Sequence, residues 1–338
     1  MAALEAPVKF VTPGPAIEVG NKLQGKTIYV VANGLNFPFV QATLKALEEG
    51  AKAVGASVVA VDGAGETSKA ASLVEQGVAR NASVIVTQSF PSEQLAAALK
   101  SAKAAGIPVV ELTSRDPELP NSELEALGVS AIASFCYRCA GEQMAQAAVA
   151  SSEGNVDSVL YNVPEIGVSA LELGGYTKEL ESLCDECSVK VVDAPLAQWN
   201  SNLPSLTTSA IQTDPNVNFL APLYDAMVPI IAPAVSTAQA SNVKVVTYNA
   251  TEPVLEMLQN DELVAGDVGG MNEWLGWATM DQIARLLTAN PPVADTKIPN
   301  RLFTPKNVAG IDLGEAESSW YGKIDLAAEY KALWGLSG

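Results

Sequence analysis

Histidine is absent from the 338 residues. That excludes histidine-based acid–base catalysis and removes the commonest protein ligand of zinc. Positive charge is scarce: 20 Lys and Arg stand against 38 Asp and Glu, a formal net charge of −18. Nucleic acids and anionic membranes are bound through basic patches, so the balance argues against both as partners. No run of eighteen apolar residues occurs, and no segment reads as a membrane-spanning helix. The turn after the first predicted strand reads Ala32-Asn-Gly-Leu-Asn-Phe, not the G-x-G-x-x-G of a dinucleotide fold. Neither a G-x-S-x-G elbow nor a P-loop is assigned. The expectation is therefore a protein that is not an enzyme, with no cofactor, no catalytic residue and no metal.

What is present is a globular composition, 48% apolar and 17% charged, in a chain longer than one core usually reaches, so two domains are expected. Residues 27–41 set the theme. Thr27–Val31 is a short β-branched and aromatic run, read as a strand buried on both faces. A polar turn with Asn33, Gly34 and Asn36 follows. Pro38 then sits where a first-turn proline opens a helix. This joint leaves Asn33, Phe37 and Phe39 at the carboxyl end of a strand, where open α/β sheets bind ligands.

The same rhythm continues. Strands are expected at Ser57–Val61, Ser83–Thr87 and Val109–Leu112. Helices are expected from Phe39 to Val54, at Thr67–Ala79, and from Pro91 to Ala105. A polar connection, Asp116–Ala126, marks a boundary. A second module follows, with strands at Gly128–Ala133, Val156–Asn162, Val189–Val192, Val217–Leu220 and Val243–Tyr248. Its helices are expected at Phe135–Ala150, Ser169–Leu183, Leu203–Thr213 and Tyr224–Ala240. Glu252–Gln259 reads as a short helix, Val264–Val268 as a strand and Asn272–Thr288 as a helix. Pro291–Pro299 reads as a linker before a less regular tail. Each strand is a largely apolar run, which predicts α/β architecture with doubly wound parallel sheets.

The order of elements, with the strings Ile28–Gln41, Gly106-Ile-Pro-Val-Val, Gly128-Val-Ser-Ala-Ile-Ala-Ser and Val245-Val-Thr-Tyr-Asn-Ala-Thr, resembles a known family over about residues 26–310. It is that of the ABC-transporter solute-binding proteins of the ribose-binding type, the sugar-binding group of type 1 periplasmic binding proteins. The resemblance implies two lobes joined by a multi-crossing hinge. Lobe 1 would comprise 26–133 with 268–295, and lobe 2 would comprise 134–267 with 296–338, after an N-terminal extension over 1–25. It also implies an extracytoplasmic protein, periplasmic or a cell-surface lipoprotein, whose signal peptide is not part of this sequence. Such a protein captures a sugar, polyol or related small polar molecule by hinge closure and delivers it, as a monomer, to an ABC permease. A ligand-sensing subunit or a repressor-type effector-binding core shares the fold. A regulator, however, would need a helix-turn-helix before residue 26 and a basic face.

Carried over position by position, the resemblance implies ligand contacts at Asn33, Phe37, Phe39, Gln88, Thr113, Ser114, Phe135, Glu172, Trp199, Tyr224, Asp225, Tyr248, Asn249, Gly270 and Trp274. Asp267 reads as a hinge residue or a further contact. Thr113 and Ser114 stand where sugar binders commonly hold an aspartate and an arginine, and Glu172 stands where many hold an arginine. Gly270 stands where a glutamine is usual. The expected pocket is therefore more aromatic and less cationic than an ordinary aldose site.

The four cysteines form two C-x-x-C pairs, Cys136/Cys139 and Cys184/Cys187, whose spacing alone leaves disulfides, zinc or free thiols open. In the implied fold the pairs lie about a helix length apart, roughly 20 Å at 1.5 Å per residue. One shared metal or a cross-pair bridge would then be out of reach. Two local disulfides are expected, consistent with an extracytoplasmic chain.

Overall fold

The computed structural model describes residues 1–117, 121–260 and 263–336, so part of the predicted Asp116–Ala126 connection, 118–120, lies outside the described residues. The backbone groups into two units. The first comprises Lys9–Phe135, Met271–Pro299 and Tyr321–Gly338, and the second Met1–Val8, Cys136–Gly270 and Asn300–Trp320.

In the first unit, β1 (Thr27–Ala32), β2 (Ser57–Asp62), β3 (Val84–Gln88), β4 (Val109–Leu112) and β5 (Ala131–Ala133) form a parallel sheet in the order β2-β1-β3-β4-β5. Alternate residues feed its two faces. Tyr29, Val31, Ile85, Val109 and Ile132 pack with Ala70 and Val74 of helix Thr67–Ala79 and with Ala98, Leu99 and Ala102 of helix Ala96–Ala104. Helices Pro38–Ala53 and Asn272–Leu287 pack on one another with their backbones close. A Cβ on Gly276 would lie 2.4 Å from the Thr43 carbonyl oxygen.

The second unit holds β6 (Asp157–Asn162), β7 (Ser188–Asp193), β8 (Phe219–Pro222), β9 (Lys244–Tyr248), β10 (Val264–Gly270) and β11 (Asn300–Phe303), in the order β11-β10-β9-β8-β6-β7. Five of these strands are parallel, and β11 runs antiparallel to β10. Helices Tyr137–Ser151 and Ser169–Leu183 meet through Gly141 and Gly175. Cβ atoms there would come within 2.0 Å of the Glu172 carbonyl oxygen and 2.2 Å of that of Arg138. The predicted α/β class with two parallel-sheet modules is what the chain adopts.

Several expectations are corrected. The tail from Tyr321, expected with the second module, packs on the first. Trp334 donates Nε1–H to Asp281 Oδ1 at 2.8 Å, and the Leu333 carbonyl accepts from the Ile17 N–H. Residues 9–25, expected as part of an N-terminal extension, are tied in the same way, with Val19 and Leu23 fully buried. The unit boundaries at Phe135, Gly270 and Pro299 fall two to four residues beyond those expected. The helix expected from Pro91 begins only at Ala96, because the buried Glu111 carboxylate takes the Ser92 N–H (3.2 Å) and hydroxyl and holds residues 91–95 in turns. Helix Asn121–Leu127 takes up much of the polar connection expected over Asp116–Ala126, and β11 lies in the less regular tail after the Pro291–Pro299 linker. Gly20–Thr27 carries the G-x-x-x-x-G-K-T spacing of a phosphate loop. It enters β1 from a turn and opens no helix, so it lacks the N-terminal amides a phosphate needs.

Both cysteine pairs form local disulfides, Cys136–Cys139 with Cα atoms 5.2 Å apart and Cys184–Cys187 with 5.3 Å. The first caps helix Tyr137–Ser151, with Cys136 Sγ accepting from the Cys139 N–H at 3.2 Å. The second closes the turn after helix Ser169–Leu183.

Candidate functional site

In each sheet the strand order reverses once, between β1 and β3 in the first unit and between β6 and β8 in the second. At such a reversal the helices on either side leave in opposite directions and open a crevice beyond the carboxyl ends of the strands. Most of the residues singled out from sequence lie at these two places.

In the first unit, Asn33 follows β1 and donates Nδ2–H to the Ser89 carbonyl beyond β3 at 3.0 Å. Ser89 and Thr113, just past β3 and β4, both have φ of 57°, and their hydroxyls share a hydrogen bond at 2.7 Å. A left-handed β-branched residue is strained, on the order of 1–3 kcal/mol. Here the backbone bonds Ser89 N–H to Leu112 O (2.8 Å) and Thr113 N–H to Ala133 O (3.1 Å) enforce it. Ser114 is half-buried beside them. Phe37 and Phe39 stack on one another with centroids 6.1 Å apart, and neither ring is fully buried, so they are not core residues under the loop.

Gln88, the last residue of β3, is 0% exposed, and neither its Oε1 nor its Nε2 has a hydrogen-bond partner. Such a group is costly unless something completes it. Phe135 is buried just past β5. Sequence reasoning passed over Arg115, which lies one residue beyond the positions matched to the family. Its guanidinium is held by Glu111 (Nη2–Oε2 2.9 Å) and Glu93 (3.2 Å).

In the second unit, helix Ser169–Leu183 follows β6 and buries Ser169 and Glu172 in its first turn. The glycine contact at Gly141 and Gly175 fixes this turn against the neighbouring helix. Ser169 Oγ and Tyr224 Oη lie 2.8 Å apart in a hydrogen bond. Tyr224 stacks on Trp199 with centroids 6.4 Å apart and planes 27° from parallel, and Trp199 donates Nε1–H to the Ala194 carbonyl at 3.0 Å. Burial, and then the nearby Glu172 carboxylate, push the Tyr224 hydroxyl well above its ordinary pKa, so it remains a neutral donor.

Asp225 follows β8 and is fully buried. Its Oδ2 accepts from the Thr251 N–H at 2.7 Å and from the Thr251 hydroxyl, and Asn249 Nδ2 lies 3.5 Å from its Oδ1. Burial raises its pKa to about 6, against the lowering pull of the Thr251 bonds. The folded value therefore exceeds the unfolded one. Stability from this group is complete below about pH 4 and is lost as pH rises through 6. An Asp225→Asn variant should gain on the wild type by on the order of 2 kcal/mol between pH 4.5 and 7.5. Melting temperatures across that range check this, and a difference that stays flat with pH would refute it.

Tyr248 closes β9, its buried ring edge-on to Tyr137 at 5.8 Å. Gly270 closes β10 in the ladder with Asn300 and offers backbone only. Trp274 is not brought to the site. It is fully buried in helix Asn272–Leu287, stacked on Phe10 at 5.3 Å and donating Nε1–H to Tyr330 Oη at 3.0 Å. The tail, misplaced in the sequence reading, is what covers it. Ser89, Ser169 and Thr251 were missed. Their only signal is a hydroxyl at the first position past a strand or at the start of a helix.

The family described as "Periplasmic binding protein domain" matches residues 28–291. A D-apiose import binding protein of Paraburkholderia graminis is 25% identical over 251 residues, which cover 73% of this chain and 76% of that protein. Among solved structures, a solute-binding protein of an ABC transporter from Agrobacterium vitis, bound with alpha-D-tagatopyranose, has a TM-score of 0.76 at 15% identity and covers 86% of this chain and 98% of its own. Another from the same organism, with bound allitol, has a TM-score of 0.74 at 18% identity and covers 85% and 97%. At these identities the structural likeness bears on the fold alone.

Proposed function

The chain belongs to the periplasmic binding protein domain family, and we propose that it is the extracytoplasmic solute-binding protein of an ABC importer, holding a small neutral sugar or polyol. One observation carries the ligand class: the stacked Trp199–Tyr224 pair stands beside Ser169, Glu172 and Asp225 at the β6/β8 reversal. Sugars need both kinds of group, a flat apolar surface for C–H faces and buried acceptors for hydroxyls. In the first unit, Asn33 and the uncompleted amide of Gln88 supply donors and acceptors of the same neutral kind.

Charge narrows the class. Among the described residues, the buried ionisable groups at the second unit's reversal are acids and tyrosines, and in the first unit Arg115 is engaged by two carboxylates. A phosphorylated or carboxylated sugar would meet repulsion without a dedicated cation. The relatives whose names include D-apiose, tagatopyranose and allitol point the same way. The remaining roles follow from that reading: a membrane permease as partner, capture without turnover, and action as a monomer away from nucleic acid.

A thermal-shift panel tests it. A bound sugar or polyol at about 100 times its dissociation constant adds about 2.7 kcal/mol, roughly 5–10 °C for domains of this size. D-Apiose, D-tagatose and allitol belong in the panel beside sugar phosphates and nicotinamide dinucleotides. A shift with a neutral member and none with the anionic ones is expected. A panel in which only anions shift the melt would overturn the ligand class, and turnover of a nicotinamide cofactor would overturn the binding role.

A further inference from the structure

Asp267 lies on β10, 0% exposed, and sequence reasoning left it between hinge and ligand contact. Its Oδ1 accepts the Ala250 N–H at 3.1 Å, and its Oδ2 has no hydrogen-bond partner. Ala250 (φ 51°) and Asn249 (φ 129°) are two consecutive non-glycine residues in the left-handed half of backbone space. Two such residues in a row persist only where surrounding bonds over-determine them. Besides the backbone bond from the Asn249 N–H to the Val268 carbonyl at 2.9 Å, those bonds come from two carboxyl groups on different sides of the turn. Asp225, beyond β8, takes Thr251 and approaches Asn249, and Asp267 takes Ala250.

We propose that Asp267 is a positioning residue, which as a neutral acid holds the Asn249–Ala250 turn in its left-handed form through the Ala250 N–H and so aims Asn249 at the solute. The inference rests on the solute-binding reading only for what Asn249 touches, since the geometry of the turn is independent of any ligand. A neutral acid suits the site, because an ionised Asp267 would have one oxygen buried without a donor while facing the Asp225 carboxylate. The other ionisable groups among the described residues on elements packed against β10 have contacts of their own. Arg301 of β11 is on the Glu5 and Trp320 carbonyls, and Arg138 pairs with Glu142 at the surface. Glu252 and Glu256 are exposed, Lys244 is at the opposite end of β9, and the rings of Tyr137 and Tyr248 meet edge-on. Burial, and then Asp225, raise the Asp267 pKa well above the ordinary value. Its stabilising form is thus present at low pH and lost as pH rises.

The test compares Asp267→Asn, which keeps the acceptor and cannot ionise, with Asp267→Ala, which removes it. Amide hydrogen exchange of the peptide spanning Asn249–Glu252, in ligand-free protein and corrected for intrinsic chemistry, reads the turn directly. Asp267→Asn should keep wild-type protection at pH 6 and retain it at pH 9, where the wild type loosens. Asp267→Ala should lose at least tenfold protection at both. Affinity for whichever sugar or polyol the wild type binds should be within twofold in Asp267→Asn and at least tenfold weaker in Asp267→Ala. Should Asp267→Ala fail to fold, the pH dependence of Asp267→Asn against wild type carries the test alone. Equal loss of protection in both variants, or a wild-type turn whose protection ignores pH while Asp267→Asn matches it, would overturn the proposal. Absence of any neutral ligand, with the exchange pattern as expected, would instead count against the solute-binding reading.

Discussion

Asp281→Ala is expected to lower the melting temperature of the first unit by about 10 °C. Asp281 and Arg285 are each 1% exposed in helix Asn272–Leu287. Their side chains meet one turn apart at 2.8 Å, and the second carboxylate oxygen takes the Trp334 indole N–H at 2.8 Å. Arg285 also donates to the Pro15 carbonyl at 3.0 Å, so one ion pair secures both the N-terminal segment and the tail. Burial holds the Asp281 carboxyl above its ordinary pKa even with Arg285 beside it, so desolvation outweighs the attraction. An intact pair of this kind contributes little net stability, yet removing one partner strands the other charge at a cost of about 3–5 kcal/mol. At about 2–4 °C per kcal/mol this gives the stated shift. The double variant Asp281→Leu/Arg285→Met should recover most of the loss, as the two apolar groups need no partner. A calorimetric scan in which Asp281→Ala melts with the wild type would remove this account of how the termini are held.

Trp199→Ala is expected to weaken solute binding by roughly 30- to 150-fold, about 2–3 kcal/mol, as buried aromatic anchors do when truncated. Its indole is both the stacking partner of Tyr224 and a donor to the Ala194 carbonyl, so the alanine variant loses a ring and a brace together. Trp199→Phe separates these. It keeps a ring against Tyr224 and drops only the Nε1 bond, and its affinity should fall less than tenfold. Calorimetric titration at a temperature where near-ultraviolet dichroism shows both variants folded reads the difference. Wild-type affinity in Trp199→Ala would take the aromatic wall out of the site.

Much of this molecule was legible in its residues. Apolar β-branched runs separated by helical periods place β1 to β4 and β6 to β10 within about two residues, and the central strands β1, β3, β4 and β8, buried on both faces, have no polar alternation to confuse the reading. Strand ends were therefore also legible, and with them the placement of Asn33, Gln88, Thr113, Tyr224, Asp225 and Asn249 at or just past those ends. Reading failed where a distant partner decides the local structure. The turn at 91–95 depends on Glu111, nearly twenty residues on, and Pro91 alone looks like a helix start. Trp274 looks like a wall residue until Phe10 and Tyr330 are seen to enclose it. No local pattern assigns the tail to one sheet or the other, because its position is set by single contacts such as Trp334 to Asp281.

The paired glycines at 141 and 175 carry a last consequence. With a carbonyl of each helix where the other's Cβ would be, the two rods are locked tooth in notch. Neither can slide along its axis without collision, and even an alanine at either position would have to force them apart. Ser169 and Glu172 are therefore mounted on a fixed rail. Adapting this protein to a different solute should leave that rail untouched and rework the turns beyond β8 and β9, where Tyr224, Asn249 and their supports can change one at a time.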